Sequence, residues 1–109
     1  MQIDQLRYFL ESYKRKNFTK AAEHLFVTPQ AVSRSVIELE NELNLTLFER
    51  RGNKIQPTPY ADSLAASAEK ILEATDEFLA VATDLSSKSV KGTFRVAVAS
   101  TFNVGETIA

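Results

Sequence analysis

Apolar residues recur at helical spacing from the start of the chain. Ile3, Leu6, Leu10 and Tyr13, with Phe9 widening the stripe, predict an amphipathic helix over 3–15. Lys14, Arg15 and Lys16 close that segment; cations there complement the helix dipole and suit a phosphate equally well. The stretch Asn17, Phe18, Thr19 interrupts the pattern, and Thr19 is the expected N-cap of a short second helix running to about Phe26. Within it Ala21 and Ala22 are small enough to let another helix pack close. Thr28 is the expected N-cap of a third helix, and Pro29 takes its first position, where the missing N–H costs nothing. The core stripe Val32, Val36, Leu39 and Leu43 leads to Asn44, which tolerates the left-handed conformation of a helix stop, with Leu45 folding back onto that cap. Two short helices joined by a tight turn, the second polar at its start, form a helix-turn-helix pattern over about 18–37.

The pattern then changes period. Leu45, Leu47 and Phe48 are apolar; Glu49, Arg50, Arg51, Gly52, Asn53 and Lys54 follow, then Ile55 and Gln56. Gly52-Asn53 is a turn signal between two extended pieces, so a β-hairpin wing is expected over about 48–57 with three cations at or near its tip. Thr58-Pro59 repeats the cap-plus-proline start and opens a long helix over about 59–87. In it Leu64, Ala68, Ile71, Thr75, Phe78, Ala82 and Leu85 alternate steps of four and three, a heptad seam that Ala65, Leu72 and Leu79 broaden on one side. A helix of that length spans about 43 Å at 1.5 Å per residue. The preceding sixty or so residues cannot cover all of it, so its apolar face calls for another chain. Large d-type positions (Leu64, Ile71, Phe78, Leu85) facing small a-type ones (Ala61, Ala68, Thr75, Ala82) suggest antiparallel pairing about a two-fold axis, each helix also touching the first helix of its mate. Ser86, Ser87, Lys88 and Ser89 then read as a polar linker, and Phe94, Val96 and Val98 alternate as a strand over 93–99. Ser100 to Ala109 reads as a loop and the first turn of a following helix. A strand cannot stand alone, which makes it the beginning of a second domain.

The 109 residues contain no cysteine and one histidine, His24. A disulfide scaffold is therefore excluded and a Cys/His metal centre is not expected. His24 is expected at the surface. The N-terminus lacks a basic region followed by an apolar run, and no apolar run approaches the roughly 18 residues of a membrane span; a cytoplasmic location fits. Overall charge is −1, but residues 1–60 hold nine Lys/Arg against seven Asp/Glu, whereas 61–109 hold four against seven. The mildly basic first half, with its cations in clusters, is the half a polyanion would meet. An enzyme is disfavoured: Ser33 lies inside a helix with no nucleophile elbow or Gly-rich turn, and no phosphate-binding loop is present. A module that binds another protein remains the third alternative, separable by salt-sensitive binding to duplex DNA.

Residues 6–9 (LRYF), 18–25 (FTKAAEHL), 28–34 (TPQAVSR), 39–43 (LENEL) and 47–50 (LFER) together resemble the N-terminal part of LysR-type transcriptional regulators. The long helix and the strand KGTFRVAV follow in the expected order. The sequence departs from the family at Asn44 and Ala61, where glycine is usual, at Pro57, where leucine is common, and at Pro29-Gln30, where the order is usually inverted. The resemblance implies a mainly α fold: a winged helix-turn-helix over 1–58, a linker or dimerisation helix over 59–88, and the first strand of an α/β effector domain over 89–109. That effector domain would resemble periplasmic binding proteins and hold a small-molecule inducer, so no cofactor is expected within these residues. The implied function is sequence-specific binding of an interrupted inverted repeat in double-stranded DNA as a homodimer. Tetramers would require the whole effector domain, and RNA polymerase is a prospective partner of the parent protein.

The third helix can enter the major groove and present its first turns to base edges. Gln30 can pair with adenine. Ser33 can reach a phosphate or a base. Arg34 can fork onto guanine or onto a phosphate. Thr28 is either a pure cap or a cap that also meets the DNA backbone. Pro29 shares this end of the helix. At the wing, Arg50 either touches DNA or braces the hairpin by pairing with Glu40 or Glu49, while Arg51, Asn53 and Lys54, nearer the tip, are expected to meet DNA by charge.

Overall fold

The computed structural model describes residues 1–52 and 54–92. The first apolar stripe winds into α1 (Ile3–Arg15), whose buried side is Leu6, Phe9, Leu10 and Ser12. Helix α1 ends on Lys16 in the left-handed conformation (φ 54°), its N–H donating to the Ser12 carbonyl at 2.7 Å. Helix α2 (Phe18–Leu25) is capped two positions earlier than the expected Thr19. Asn17 is extended, and its side-chain oxygen accepts the Lys20 N–H at 2.8 Å, which leaves Thr19 inside the first turn. Asn is the stronger cap, so the earlier start prevails. Phe26 turns left-handed (φ 60°) to stop α2, and the Val27 N–H returns to the Ala22 carbonyl at 3.0 Å.

Helix α3 (Pro29–Leu43) begins as the sequence predicts, with Thr28 Oγ1 accepting the Ala31 N–H at 3.1 Å and Pro29 in the first turn. It ends as predicted too: Asn44 is left-handed (φ 59°), and the Leu45 N–H reaches back to the Glu40 carbonyl at 3.1 Å. Strands β1 (Phe48–Arg51) and β2 (Lys54–Pro57) pair antiparallel, with Phe48 opposite Pro57 and Arg51 opposite Lys54. Gly52 supplies the positive φ (62°) at the tip, as a two-residue hairpin turn requires; Asn53 lies outside the described residues. Phe48 and Ile55 are the inward residues that fasten the hairpin to the helices.

The core gathers Leu6, Phe9, Ala21, Ala22, Val32, Val36, Leu39 and Leu47 around three aromatic rings. Phe48 is the centre of that cluster: its ring lies 5.8 Å from Phe9 and 5.8 Å from Phe18, the latter edge-on, an arrangement favoured by the ring quadrupoles.

Thr58 joins hairpin to last helix. Its hydroxyl donates to the Thr46 carbonyl at 2.6 Å and accepts the Ala61 N–H at 3.3 Å, capping α4 (Pro59–Gly92). Two expectations for this helix are corrected. First, it does not stop before a polar linker at 86–89 but continues to Gly92. Serine is only mildly unfavourable in a helix, and Lys88 pairs with Asp84 one turn back at 3.3 Å. The strand expected over 93–99 and the turn after it lie outside the described residues. Second, the seam is not free along its whole length. The contacts divide the chain into two units, Met1–Glu73 and Ala74–Ala109. In the first, Ala61 and Ala68 are buried (Ala68 is 3% exposed), and Leu64 and Leu72 pack against the same core. Ala68, expected at a subunit interface, is thus already covered by its own domain, because small residues there let the helix sit close. Tyr13, whose hydroxyl donates to Asp62 at 2.9 Å, and Lys14, 3.5 Å from Glu69, hold the same turns to α1. In the second unit the large apolar residues Phe78, Leu79, Val81 and Leu85 are exposed, Phe78 by 72%.

Candidate nucleic-acid interface

Helix α3 carries two unlike faces. Val32, Val36 and Leu39 are fully inside. Gln30 and Arg34 are exposed and Ser33 half-buried, and Ser33 and Arg34 follow Gln30 by three and four residues on the outward side. Among the described residues Arg34 has no acidic partner, so its guanidinium is available. Ile37 continues this side and is 41% exposed, an apolar residue in solvent on an otherwise polar face. The sequence reading passed over it; its signal was an apolar residue next to the core position Val36 and out of phase with the buried stripe. Asn17, Phe18 and Thr19 meet Pro29, Gln30 and Ser33 around a shallow concavity of about 400 Å³ at the head of α3. The starts of both helices thus open on one surface.

The wing residues divide. Arg50 is held on three sides: Nη2 lies 3.7 Å from Glu40 Oε1, Nη1 donates to Ser33 Oγ at 3.4 Å, and the guanidinium sits 4.8 Å from the centre of the Phe18 ring. Of the two roles open to it, the bracing one is the geometry observed. Its partner Glu40 also accepts the backbone N–H groups of Leu47 (2.7 Å) and Phe48 (3.1 Å) through Oε2. One carboxylate on α3 therefore fixes both the entry of β1 and the cation leaving it. Arg51 is exposed and lies 3.3 Å from Glu49, a surface pair worth little in water. Lys54 is exposed and has no acidic partner among the described residues. The hairpin brings Arg51 and Lys54 opposite each other. Asn53 is outside the described residues. Thr28 is exposed with its hydroxyl committed as acceptor to the cap, which leaves the O–H proton free to donate. His24 is at the surface, 3.9 Å from Glu11, whose other oxygen pairs with Arg15 at 2.8 Å.

On the second unit Ala74, Phe78, Val81, Ala82 and Leu85 form one apolar face beside Glu77. No group of three or more metal-ligating side chains occurs among the described residues, and none of their helices is long and apolar enough to cross a membrane.

Residues 3–62 match the family described as bacterial regulatory helix-turn-helix protein, lysR family. The chain is 38% identical over 79 residues to the uncharacterized HTH-type transcriptional regulator YcgK of Bacillus subtilis (strain 168), covering 72% of this chain and 24% of that protein. It is 40% identical over 72 residues to the HTH-type transcriptional regulator HdfR of Yersinia pestis (strain Pestoides F), covering 66% and 25%. It therefore spans about a quarter of the length of the curated relatives it matches. Among solved structures it superposes on the BenM_DBD/catB site 1 DNA complex with a TM-score of 0.73 at 31% identity, covering 80% of this chain and 98% of that one.

Proposed function

The chain belongs to the lysR family of bacterial regulatory helix-turn-helix proteins, and from that premise we propose that it binds duplex DNA in a sequence-specific manner as a transcriptional regulator, one half-site of an interrupted inverted repeat per subunit. The observation that carries this reading is the division of α3: a buried stripe of Val32, Val36 and Leu39 behind an exposed Gln30, Ser33 and Arg34. A helix of that kind fits the major groove. Gln30 presents an amide for adenine and Arg34 a fork for guanine O6 and N7. Ser33, its oxygen already accepting from Arg50, turns its proton outward to a phosphate or base acceptor. Ile37 offers a methyl surface to thymine. Thr28 and Pro29 set the entry of the helix and Thr28 donates to the backbone. Arg51, Asn53 and Lys54 meet the flanking phosphates, while Arg50 positions Ser33 and the wing.

Residues 1–58 form the reading domain in this scheme, and the helix from 59 onward joins two copies through Ile71, Thr75, Phe78, Leu79, Ala82 and Leu85. Similarity to solved DNA complexes supports the partner. In the whole protein an effector domain beyond α4 binds a small-molecule inducer, permits tetramers and contacts RNA polymerase in the cytoplasm; the chain itself has no catalytic role. Fluorescence anisotropy tests the reading. The protein is expected to bind a duplex selected from a random pool more tightly than random duplex, with affinity falling as salt rises. Equal affinity for both at every salt concentration would remove sequence reading from α3.

A further inference from the structure

A second concavity, of about 450 Å³, opens between the α1–α2 corner and the wing. Cations dominate its rim: Arg15, Lys16 and Lys20 on one side, Arg51 and Lys54 on the other, with the amides of Asn17 and Gln56 between them. Two of the five are engaged, Arg15 with Glu11 and Arg51 with Glu49. Lys16, Lys20 and Lys54 have no acidic partner among the described residues, and all three are exposed. Like charges brought around one hollow repel, and an anion seated in it relieves that repulsion.

Lys16 strengthens the point. It occupies the left-handed cap of α1 at φ 54°, a conformation that glycine adopts freely and that costs a residue with a Cβ. Its backbone N–H already makes the capping bond to Ser12, so the fold asks only for a main chain at this position. The side chain is surplus to folding and projects a charge at the rim.

We infer that this groove is a second, sequence-independent seat for the phosphodiester backbone of DNA, with Lys16, Lys20 and Lys54 as phosphate ligands. The inference rests on the DNA-binding reading above and extends it from α3 and the wing tip to the α1–α2 corner. The ligand is assigned by continuity: Asn17 lines both this groove and the concavity at the head of α3. A strand whose phosphates pass the start of α3 is therefore led across Asn17 into the basic groove and on to the hairpin. Phosphate contacts of this kind hold register without carrying sequence information.

The test compares the whole chain with a Lys16→Gly, Lys20→Gln double variant on random duplex and on a duplex selected from a random pool, across a salt series. Each phosphate contact removed is expected to lower the slope of log affinity against log salt by about 0.9, so the double variant should lose roughly two units of slope. Both duplexes should weaken by the same factor, leaving their ratio unchanged. Lys16→Gly alone is expected to melt at or above the wild-type temperature, which separates lost binding from lost folding. An unchanged slope in a folded double variant overturns the inference while wild-type binding leaves the DNA reading intact. A wild type that ignores duplex even at low salt sinks the DNA reading itself. Lysine-dependent capture of a poly-glutamate peptide, with duplex binding untouched, would give the groove to an acidic protein and overturn the proposal.

Discussion

Arg34 and Arg50 are both arginines near the proposed DNA surface, yet their surroundings differ. Arg34 is exposed and without an acidic partner among the described residues. Arg50, also exposed, is engaged by Glu40, Ser33 and Phe18. Arg34→Ala is expected to cost about 1–3 kcal/mol of binding and to relax base preference at one position of each half-site, read by selection from a degenerate duplex pool. Glu40 carries the opposite expectation. Its carboxylate receives two backbone N–H groups and faces Arg50, so Glu40→Ala leaves buried donors unmet and should lower folding stability by about 2–3 kcal/mol in chemical denaturation. A melt indistinguishable from wild type would mean that the strand entrance is held by packing alone. Tyr13 provides a pH handle. The hydrogen bond it donates to Asp62, then burial, then the carboxylate charge raise its phenol above the usual value near 10. Its protonated form is the one favoured in the fold, so the tether of α1 to α4 is fully present below pH 10 and is lost as pH rises through the shifted value. Ultraviolet difference titration should show the Tyr13 phenol ionising at a lower pH in Asp62→Ala than in the wild type.

At the scale of elements, the helix-turn-helix was legible because its signals are local. Thr28-Pro29 and Asn44 each fix a helix end through the chemistry of one or two residues, and the structure uses both as read. The hairpin followed from Gly52 and a change of period. What the pattern hid is competition between neighbours. Asn17 displaced Thr19 as a cap because Asn is the stronger of two nearby capping residues. Ser86 to Ser89 looked like a linker by composition, but a helix already running continues through serine. The seam of α4 was legible as a period but not as an assignment. Heptad spacing does not say whether a buried alanine faces its own domain or another chain, and the packing of Ala61 and Ala68 decides for the former. The basic groove was illegible for a different reason, since Lys16 and Lys20 lie more than thirty positions from Lys54 in sequence and only the tertiary fold brings them to one rim. For the wing, Arg51→Ala with Lys54→Ala should weaken all duplexes alike and flatten the salt dependence. A loss confined to selected duplex would mean that the tip reads groove shape.

At the scale of the whole molecule, the second unit exposes the large apolar residues Phe78, Leu79, Val81 and Leu85 of α4. Burying one such side chain contributes roughly 1.5–3 kcal/mol, and a two-fold pairing counts each residue twice. The chain is expected to sediment as a dimer at tens of micromolar, and Phe78→Asp to shift it to monomer without altering its melting as a folded domain. A dimer indifferent to that substitution would place the interface elsewhere.

The Glu40 carboxylate has a consequence for the nucleic acid rather than for the protein. Because one side chain on α3 accepts the amides of Leu47 and Phe48 at the entry of the hairpin and pairs with Arg50, α3 and the wing are tied together like the jaws of a caliper. On the DNA-binding reading proposed above, a caliper cannot follow variation in the object it measures, so the duplex is expected to supply the adjustment. Steps that twist or narrow easily between the two points of contact will be preferred although no side chain touches them. Stiff sequence placed there will cost affinity even where every contacted base is correct.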